Sequence, residues 1–404
     1  MRGNDPRVLM QVSGLRRMAA IKKIVLLSNS PAATSGYGTQ AALLLPRLAA
    51  LGHEVTVFAP FSGGSSVTEW QGFRVLPPLR DIAGCDALAE VCRREEAGLL
   101  LTLCDPFRLL GCAPDLARMP VAHWFPVDCQ PCSTGDVAVL RDGQGIPVAM
   151  SRHGEEMLRR EGCDPLYVPH GVEADVFCPG DPEPSRAELP GVGPDTFVIG
   201  ICGLNRGIRK GLPGQLQAFA RFRRRHPDSH LALHTSPYPR PGEPGTSLPL
   251  LAGGLEISDA VSYPDAFRYD MGLYSREDMA RWFRGLDVLS LCSYGEGFGL
   301  PLIEAQATGI PVITTLASAM TELCGSGWRV AGSDHWEEGH GSWWVRPDPA
   351  SIEAGYEAAW QAREDGKMPA LRARARTFAL QYEVDAVFDQ RWKPALDEIA
   401  ERIR

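Results

Sequence analysis

The chain has 404 residues, of which 44% are apolar and 22% are charged, a composition typical of globular proteins. This composition excludes a fibrous or intrinsically disordered chain. The sequence contains no run of about 18 uncharged apolar residues, so it predicts no transmembrane helix. Forty-one basic and 49 acidic residues give a net charge of −8. This charge disfavours a nucleic-acid partner, because proteins that bind phosphate backbones usually carry a basic surplus. The length predicts two or three domains of about 150 residues.

The N-terminus and the cysteines indicate where the protein works. Residues 1–17 are polar and interrupted by glycine and proline, without the apolar segment of a signal peptide, so we predict a loose extension before Met18. The eleven cysteines are scattered through apolar runs, which indicates buried thiols in a reducing cytoplasm. Cys129 and Cys132 form a C-x-x-C pair. No second pair lies at zinc-finger spacing, so packing is favoured over a zinc site.

Short apolar runs alternate with helical patterns from residue 21 to residue 168. Buried strands separated by helices pair in parallel with both sheet faces covered, so this half predicts a doubly wound α/β domain. The first predicted helix is Thr39–Leu51. The predicted strands are Ile21–Ser28, Glu54–Ala59, Leu99–Leu103, Pro120–Val127, Pro147–Ser151 and Leu166–Val168.

The second half repeats this pattern after a break. The stretch Cys178–Asp195 is rich in proline and acids, which is typical of a linker. A second α/β unit of similar size follows, and the last stretch, Val384–Ile403, is an amphipathic helix that Pro394 should kink or split. The predicted strands are Phe197–Leu204, Leu231–Thr235, Val288–Cys292 and Pro311–Thr315, and the predicted helices are Gly214–Arg225, Arg276–Phe283 and Leu300–Ala307.

The densest chemical signal is the segment Tyr294–Glu304, in which glycines follow a strand and lead into a helix. Free backbone N–H groups and the positive end of a helix suit a diphosphate at such a place. Seven residues separate two carboxylates, Glu296 in the loop and Glu304 about one turn into the helix on the same side. Carboxylates accept paired hydroxyl hydrogen bonds, so the diols of sugars and ribose are natural ligands.

This segment resembles the E-x7-E region of the retaining GT-B glycosyltransferases of family 4. Other segments follow in the order of that family. Ser35–Thr39 resembles its glycine-rich acceptor-side loop, Val168–Phe177 resembles its V-P-N-G-V-D segment with His170 in place of asparagine, and Gly203–Gly211 resembles its phosphate clamp. The resemblance covers about residues 21 to 400. It implies two Rossmann-like, doubly wound parallel-sheet domains that face each other across a cleft.

The resemblance also implies the role of each domain. An acceptor domain over residues 18–178 would include the C-terminal helix, about residues 384–404, packed back on it. A linker over residues 179–195 would lead to a nucleotide-sugar donor domain over residues 196–383.

The resemblance implies a diphosphate clamp of two cations. Arg206 and Lys210 would hold the donor diphosphate and offset the charge that grows on the leaving nucleoside diphosphate. Arg209 is an alternative member of this clamp, because Arg206 is spaced more closely to the lysine than in many relatives. Leu204 also stands where an arginine often follows the glycine.

The same resemblance assigns the two carboxylates and the glycines. Glu296 would contact hydroxyls of the transferred sugar, and Glu304 would bind the ribose diol. Glycines let a backbone approach the donor closely. The other donor-binding positions implied are Gly36, Gly38, Gly297, Phe298, Gly299 and Leu300.

Two further regions leave alternatives open. The family places a polar residue of the first domain beside the reacting sugar, and here His123 and Asp128 are the candidates. We favour Asp128, because alternation along the strand also fits His123 as a core histidine. The loop Ser333–Trp344 is rich in His, Glu and Trp. Packing of its tryptophans is favoured there over acceptor contact or a metal site.

Together these residues predict a retaining hexosyltransferase that uses a UDP-glucose or GDP-mannose type of donor. Arg206 and Lys210 would replace a metal ion, so no metal or cofactor is expected. The acceptor is a hydroxyl compound left open among a lipid-linked sugar, a small metabolite, a protein and a modified DNA base, and the oligomeric state is open too.

The alternatives are a non-catalytic sugar-nucleotide binding protein and a GT-B epimerase or phosphorylase. A dinucleotide oxidoreductase is weaker, because the motif after the first strand lacks a third glycine.

Overall fold

The computed structural model describes residues 21–62 and 66–403. The extension predicted over residues 1–17, with Met18 as a start, lies outside the described residues. Among the residues that are described, no helix is long and apolar enough to cross a bilayer.

The chain forms two compact units, each built from segments that are distant in sequence. As far as they are described, residues 1–127, 131–171 and 384–404 make up the first unit, and residues 128–130 and 172–383 make up the second. The C-terminal segment is therefore part of the first unit.

The first unit contains an eight-stranded sheet with the order β3-β4-β2-β1-β5-β6-β7-β8. All neighbours pair in parallel except β3 with β4. Helices cover the sheet, because its central strands are apolar on both faces and must be buried on both. The strands are β1 Lys23–Leu27, β2 Glu54–Phe58, β3 Thr68–Trp70, β4 Phe73–Leu76, β5 Leu99–Leu103, β6 Val121–Phe125, β7 Ile146–Ala149 and β8 Leu166–Tyr167. The helices are α1 Gly36–Ala50, α2 Leu88–Arg94, α3 Ala113–Leu116, α4 Thr134–Gly143 and α5 Arg152–Arg160.

The second unit contains a six-stranded parallel sheet with the order β11-β10-β9-β12-β13-β14 and a separate two-stranded hairpin, β15-β16. The strands are β9 Phe197–Cys202, β10 Ser229–His234, β11 Val261–Ser262, β12 Val288–Leu291, β13 Val312–Thr315, β14 Gly327–Val330, β15 Gly332–Glu337 and β16 Ser342–Pro347. The helices are α6 Glu183–Arg186, α7 Leu212–Arg223, α8 Leu248–Gly254, α9 Ala266–Asp270, α10 Arg276–Arg284, α11 Leu300–Ala307, α12 Ser318–Leu323, α13 Pro349–Glu364 and α14 Met368–Ala379.

The C-terminal segment completes the first unit in three pieces: α15 Val384–Val387, a π-helical turn over Phe388–Trp392, and α16 Lys393–Arg402. Pro394 is near the start of α16, and its missing N–H and its ring account for the π-helical turn that precedes it. The helical segment runs from residue 384 to residue 402 without a break, so the structure shows a change of helical geometry at this proline and not a split. Trp392 packs edge-to-face on the buried Trp124 of β6, with ring centroids 4.8 Å apart.

The proline-rich stretch that the sequence presents as a linker packs on the second unit. The chain enters that unit at residue 172, and α6 lies inside the predicted linker over residues 179–195. The guanidinium of Arg186 forms a buried ion pair with Asp287 at 2.7 Å, and Arg376 donates to the carbonyl oxygens of Ala174 and Phe177. These partners lie about 100 or more residues away, so composition alone does not reveal them.

The segment predicted as a loop over Ser333–Trp344 is instead the hairpin β15-β16, with its turn at residues 338–341. Trp336 and Trp343 are cross-strand partners with ring centroids 5.1 Å apart. Such aromatic pairs stabilise antiparallel strands, which explains why a polar, Trp-rich segment is regular here.

Candidate functional site

The topology of the second sheet marks the place for a site. From β9 the chain adds β10 and β11 on one side, then returns to add β12, β13 and β14 on the other. Open α/β sheets bind ligands beyond the carboxyl ends of the strands where the order reverses. That switch point lies between β9 and β12, so the loops that follow these two strands meet there.

Glu296 is the centre of this meeting point. Its Oε1 receives hydrogen bonds from Lys210 Nζ at 2.5 Å and from Ser293 Oγ at 2.6 Å, and its Oε2 accepts from Arg209 Nη1 at 2.8 Å. The Glu296 side chain is only 7% exposed and that of Lys210 is 13% exposed. The loop after β9 thus supplies two cations and the loop after β12 supplies the carboxylate between them.

The electrostatics fix the charge states of this cluster. Burial alone would raise the pKa of Glu296, but the charges of Arg209 and Lys210 outweigh it and lower that pKa to about 2. Burial lowers the pKa of Lys210, although Glu296 acts in the opposite direction. Glu296 is therefore an anion at neutral pH.

Close backbone contacts hold the two loops together. Gly211 has φ +60°, and a Cβ there would lie 2.5 Å from the carbonyl oxygen of Cys292. A Cβ on Gly295 would lie 2.1 Å from the carbonyl oxygen of Asp128. The N–H of Tyr294 donates to the carbonyl of Arg209 at 2.7 Å. Glycine is required at both contacts, because no side chain fits in these spaces.

Glu304 lies in α11, on the same side of the sheet. The thiol of Cys202, at the end of β9, is within electrostatic reach of Glu304, Glu296 and Lys210 together. Burial raises the pKa of Glu304 to about 7, opposed by Arg276. This carboxyl group therefore changes its protonation state near neutral pH.

The structure does not bring Arg206 into the cluster. Its side chain is 60% exposed and forms an ion pair with Glu243 at 3.3 Å. Arg209, which the sequence offered only as an alternative, occupies the position beside Glu296. The difference arises because the turn between β9 and α7 directs residues 209 and 210, and not residue 206, towards the loop after β12.

The remaining predicted donor positions of this unit precede α11 or begin it. Gly299 has φ +106° at the start of the helix, and Phe298 is buried with its ring centroid 5.8 Å from that of Tyr382. Gly297 and Leu300 flank these two residues, so the segment leads from Glu296 directly into the helix. The N–H of Glu296 itself donates to Ser318 Oγ at 3.0 Å.

In the first unit, the glycine-rich segment begins α1. Ser35 caps the helix by accepting from the N–H of Gly38, and Gly36 is the first helical residue. A Cβ on Gly38 would lie 2.4 Å from the carbonyl oxygen of Ala33, so this glycine allows a close turn. The turn offers small neutral groups and no charge of its own.

His123 is a core residue of the first unit. It is fully buried in β6, its Nδ1 lies 2.9 Å from Thr102 Oγ1, and burial lowers its pKa to about 4. His170 is also buried, against Trp124, and burial lowers its pKa to about 3. Both imidazoles are neutral at physiological pH. The surroundings of His123 agree with the alternative that it is a core histidine.

Asp128 belongs to the second unit, where its carboxylate meets the hairpin. Trp344 Nε1 donates to Asp128 Oδ1 at 3.2 Å, and His340 Nδ1 lies 3.5 Å from the same oxygen. Burial would raise the pKa of Asp128, but His340 and Arg209 lower it. Asp128 and Cys129 in turn raise the pKa of His340 to about 10. No sequence pattern joined His340 to Asp128, because the two residues are 212 positions apart.

Comparison with solved structures defines the fold class. The sucrose-phosphate synthase of Thermosynechococcus elongatus matches 94% of this chain and 100% of its own with a TM-score of 0.73 at 18% identity. Anabaena HepE, solved in complex with UDP and glucose, matches 93% of this chain and 99% of its own with a TM-score of 0.68 at 16% identity. The fold is GT-B, with two Rossmann-like units of parallel sheet.

The second unit also matches a known family in sequence. Residues 196–352 match the model of the family described as glycosyl transferases group 1. The D-inositol 3-phosphate glycosyltransferase of Stackebrandtia nassauensis is 30% identical over 200 residues, which is 48% of this chain and 43% of that protein. The chain thus matches less than half the length of this curated relative.

Proposed function

We propose that this protein is a retaining glycosyltransferase that moves a hexose from a nucleoside-diphosphate sugar to an acceptor hydroxyl and forms an α-glycosidic bond. The observation that carries the proposal is the cluster at the switch point of the second sheet, in which the buried Glu296 pairs with Arg209 and Lys210. The family match over residues 196–352 supports the same assignment.

The two cations are the diphosphate site in this proposal. Arg209 and Lys210 share the single carboxylate of Glu296, so the cluster keeps a net positive charge, and an incoming diphosphate would share their hydrogen-bond donors. As the sugar leaves, negative charge grows on the diphosphate, and preorganised cations in a buried site stabilise that charge. Two fixed cations do the work that a divalent ion does elsewhere, so we propose that catalysis needs neither a metal ion nor a cofactor.

The carboxylates position the donor. Glu296 would accept hydrogen bonds from hydroxyls of the transferred sugar, helped by N–H groups of Gly297, Phe298 and Gly299. Glu304 would accept both hydroxyls of the ribose when it is ionised. A donor held at its diphosphate, sugar and ribose has little freedom left, which favours reaction by proximity and orientation.

The chemical step that fits these groups needs no protein nucleophile. The bond between the anomeric carbon and the diphosphate oxygen breaks, and the acceptor oxygen bonds to the same face of that carbon. The leaving phosphate oxygen takes the proton of the acceptor hydroxyl. The configuration of the sugar is thereby retained.

We propose a UDP-glucose or GDP-mannose type of donor and test UDP-glucose first, because HepE, which shares this fold, was solved with UDP and glucose. We propose a cytoplasmic location on the cysteine usage of the chain.

A donor panel tests the function. UDP-, GDP- and ADP-sugars are compared by the thermal midpoint of the protein and by slow hydrolysis to free nucleoside diphosphate. A true donor raises the midpoint in proportion to the logarithm of its concentration above Kd and is hydrolysed, whereas its free hexose does neither. Binding without hydrolysis or transfer to any hydroxyl acceptor would indicate a non-catalytic binding protein. No binding of any sugar nucleotide would contradict the proposal.

A further inference from the structure

Three metal-ligating side chains converge beside the candidate site. A carboxylate oxygen of Asp128, the Sγ of Cys129 and a ring nitrogen of His340 all lie within 4.8 Å of one another. Cys129 is buried, and the other two side chains are partly buried. The three groups come from two segments that are over 200 residues apart, so their convergence is a product of the fold and not of local sequence.

The spacing of these groups leaves room for a metal ion between them. Asp128 Oδ1 and His340 Nδ1 are 3.5 Å apart. A tetrahedral ion with bonds of about 2.0–2.1 Å separates its nitrogen and oxygen ligands by roughly 3.4 Å. The 3.5 Å between Asp128 Oδ1 and His340 Nδ1 is close to this ligand-to-ligand separation.

The chemistry of the three groups selects the kind of ion. Imidazole, thiolate and carboxylate together are the ligand types of Zn²⁺, whereas Mg²⁺ and Ca²⁺ prefer oxygen ligands alone. A bound ion would draw the sulfur to about 3.6 Å from the other two ligand atoms. Among the residues that the structure describes, the group contains three such ligands, which leaves the fourth tetrahedral position to solvent.

Neighbouring residues hold the ligands in place. Trp344 Nε1 donates to Asp128 Oδ1, and a side-chain hydrogen bond joins Cys129 to Ser342. Gln130 and Trp343 exchange two backbone hydrogen bonds, at 2.9 Å and 3.1 Å, and so tie residues 128–130 to β16. Partners of this kind fix the orientation of metal ligands in known sites.

We propose that Asp128, Cys129 and His340 bind one Zn²⁺ ion, which fastens the turn of the hairpin to residues 128–130. In this proposal the ion joins two distant segments of the chain and takes no part at the diphosphate. The proposed site uses Cys129 but not the other cysteine of the C-x-x-C pair, because Cys132 packs in an apolar cluster of the first unit. The same hairpin contacts the loop of Glu296, where the N–H of Val345 donates to the carbonyl of Tyr294 at 3.0 Å.

Cobalt substitution tests the proposal on the full chain without substrates. The chelator-treated protein is titrated with Co²⁺, and the absorption of the thiolate-to-cobalt charge transfer and of tetrahedral cobalt is recorded. We expect one Co²⁺ per chain and its displacement by Zn²⁺. Cys129→Ser should abolish the charge-transfer band, and His340→Gln should lower the affinity for Zn²⁺ by about 100-fold or more, beyond the roughly 10–100-fold effect of outer-shell changes.

Cys132→Ser is the matched control, because it removes the other cysteine of the pair and should keep the band. The thermal midpoint and circular dichroism verify that each variant is folded. If Cys129→Ser does not fold, His340→Gln, in the hairpin turn, decides the question. Absence of tetrahedral cobalt absorption in the folded wild type, or the same binding in Cys129→Ser and His340→Gln, would overturn the proposal. Binding is measured without a donor, so its failure leaves the proposed transferase untouched.

Discussion

The two Rossmann-like units both place glycines in the turn between a buried strand and a helix, but they surround them with different chemistry. After β1, the neighbours are Asn29 and Ser35, which are joined by a neutral hydrogen bond of 2.7 Å. After β9 and β12, Lys210 and Glu296 face each other in a buried site. One fold thus supports a neutral turn in one unit and a charged cluster in the other. Among the described residues of these turns, only those of the second unit bring opposite charges together.

This difference predicts where substitutions change turnover and where they change only stability. The largest effect is expected at Lys210. Lys210→Met removes a buried cation aimed at the proposed diphosphate site, so kcat should fall by about 10²- to 10³-fold. Release of nucleoside diphosphate measures it, and the thermal midpoint shows whether the fold is kept. If a folded Lys210→Met variant kept its turnover within a few-fold of wild type, the charged cluster of the second unit would not be the catalytic site.

A comparison of two arginines sharpens the assignment inside the second unit. Arg209→Ala removes a charge-assisted hydrogen bond to Glu296, so kcat/KM should fall by about 10- to 100-fold. Arg206→Ala removes an exposed ion pair with Glu243, so the change should stay below about 5-fold. A larger loss of kcat/KM in Arg206→Ala than in Arg209→Ala would assign the diphosphate clamp to Arg206, as the resemblance implied.

A pH series isolates Glu304. Its pKa of about 7 means that the carboxyl group is protonated below neutrality and ionised above it. Only the ionised form accepts both ribose hydroxyls, so the affinity for UDP-glucose should rise by up to about tenfold from pH 6 to pH 8. Both phosphates of this ligand are esterified and do not titrate in that range. Calorimetry with Glu304→Gln is the control, and a slope that persists in this variant would assign the titration to another group.

The smallest effect on catalysis is expected at His123 in the first unit. His123→Leu leaves the buried hydroxyl of Thr102 without its partner, so the free energy of unfolding should fall by about 1–3 kcal/mol. Since the imidazole is neutral and in the core, kcat should not change. A large loss of kcat with unchanged stability would restore His123 as a residue beside the reacting sugar.

Local patterns predicted the elements of the core well. The bounds of β5 and α11 agree with the sequence to the residue, because a leucine run interrupted only by Thr102 defines the strand, and Pro301 and Gly309 define the limits of the helix. The π-helical turn before Pro394 follows from the chemistry of proline. These features depend on neighbours within a few residues.

Features that depend on distant partners were missed. Arg209 and Arg206 are equally basic in the sequence, and only the fold shows that one meets Glu296 and the other meets Glu243. The hairpin β15-β16 depends on its cross-strand tryptophans. His340 and Asp128 are in contact, but they are far apart in the sequence and no motif links them.

The composition of the first unit has a consequence for how the protein is made. Trp124 packs against Trp392, so this part of the core is complete only after the ribosome has added residue 392. The second unit is contiguous from residue 172 to residue 383 apart from three residues, and it can close earlier. We therefore expect the first unit not to finish folding before the second, unlike the usual order in which the N-terminal domain folds first during synthesis. The unit that emerges first is completed last.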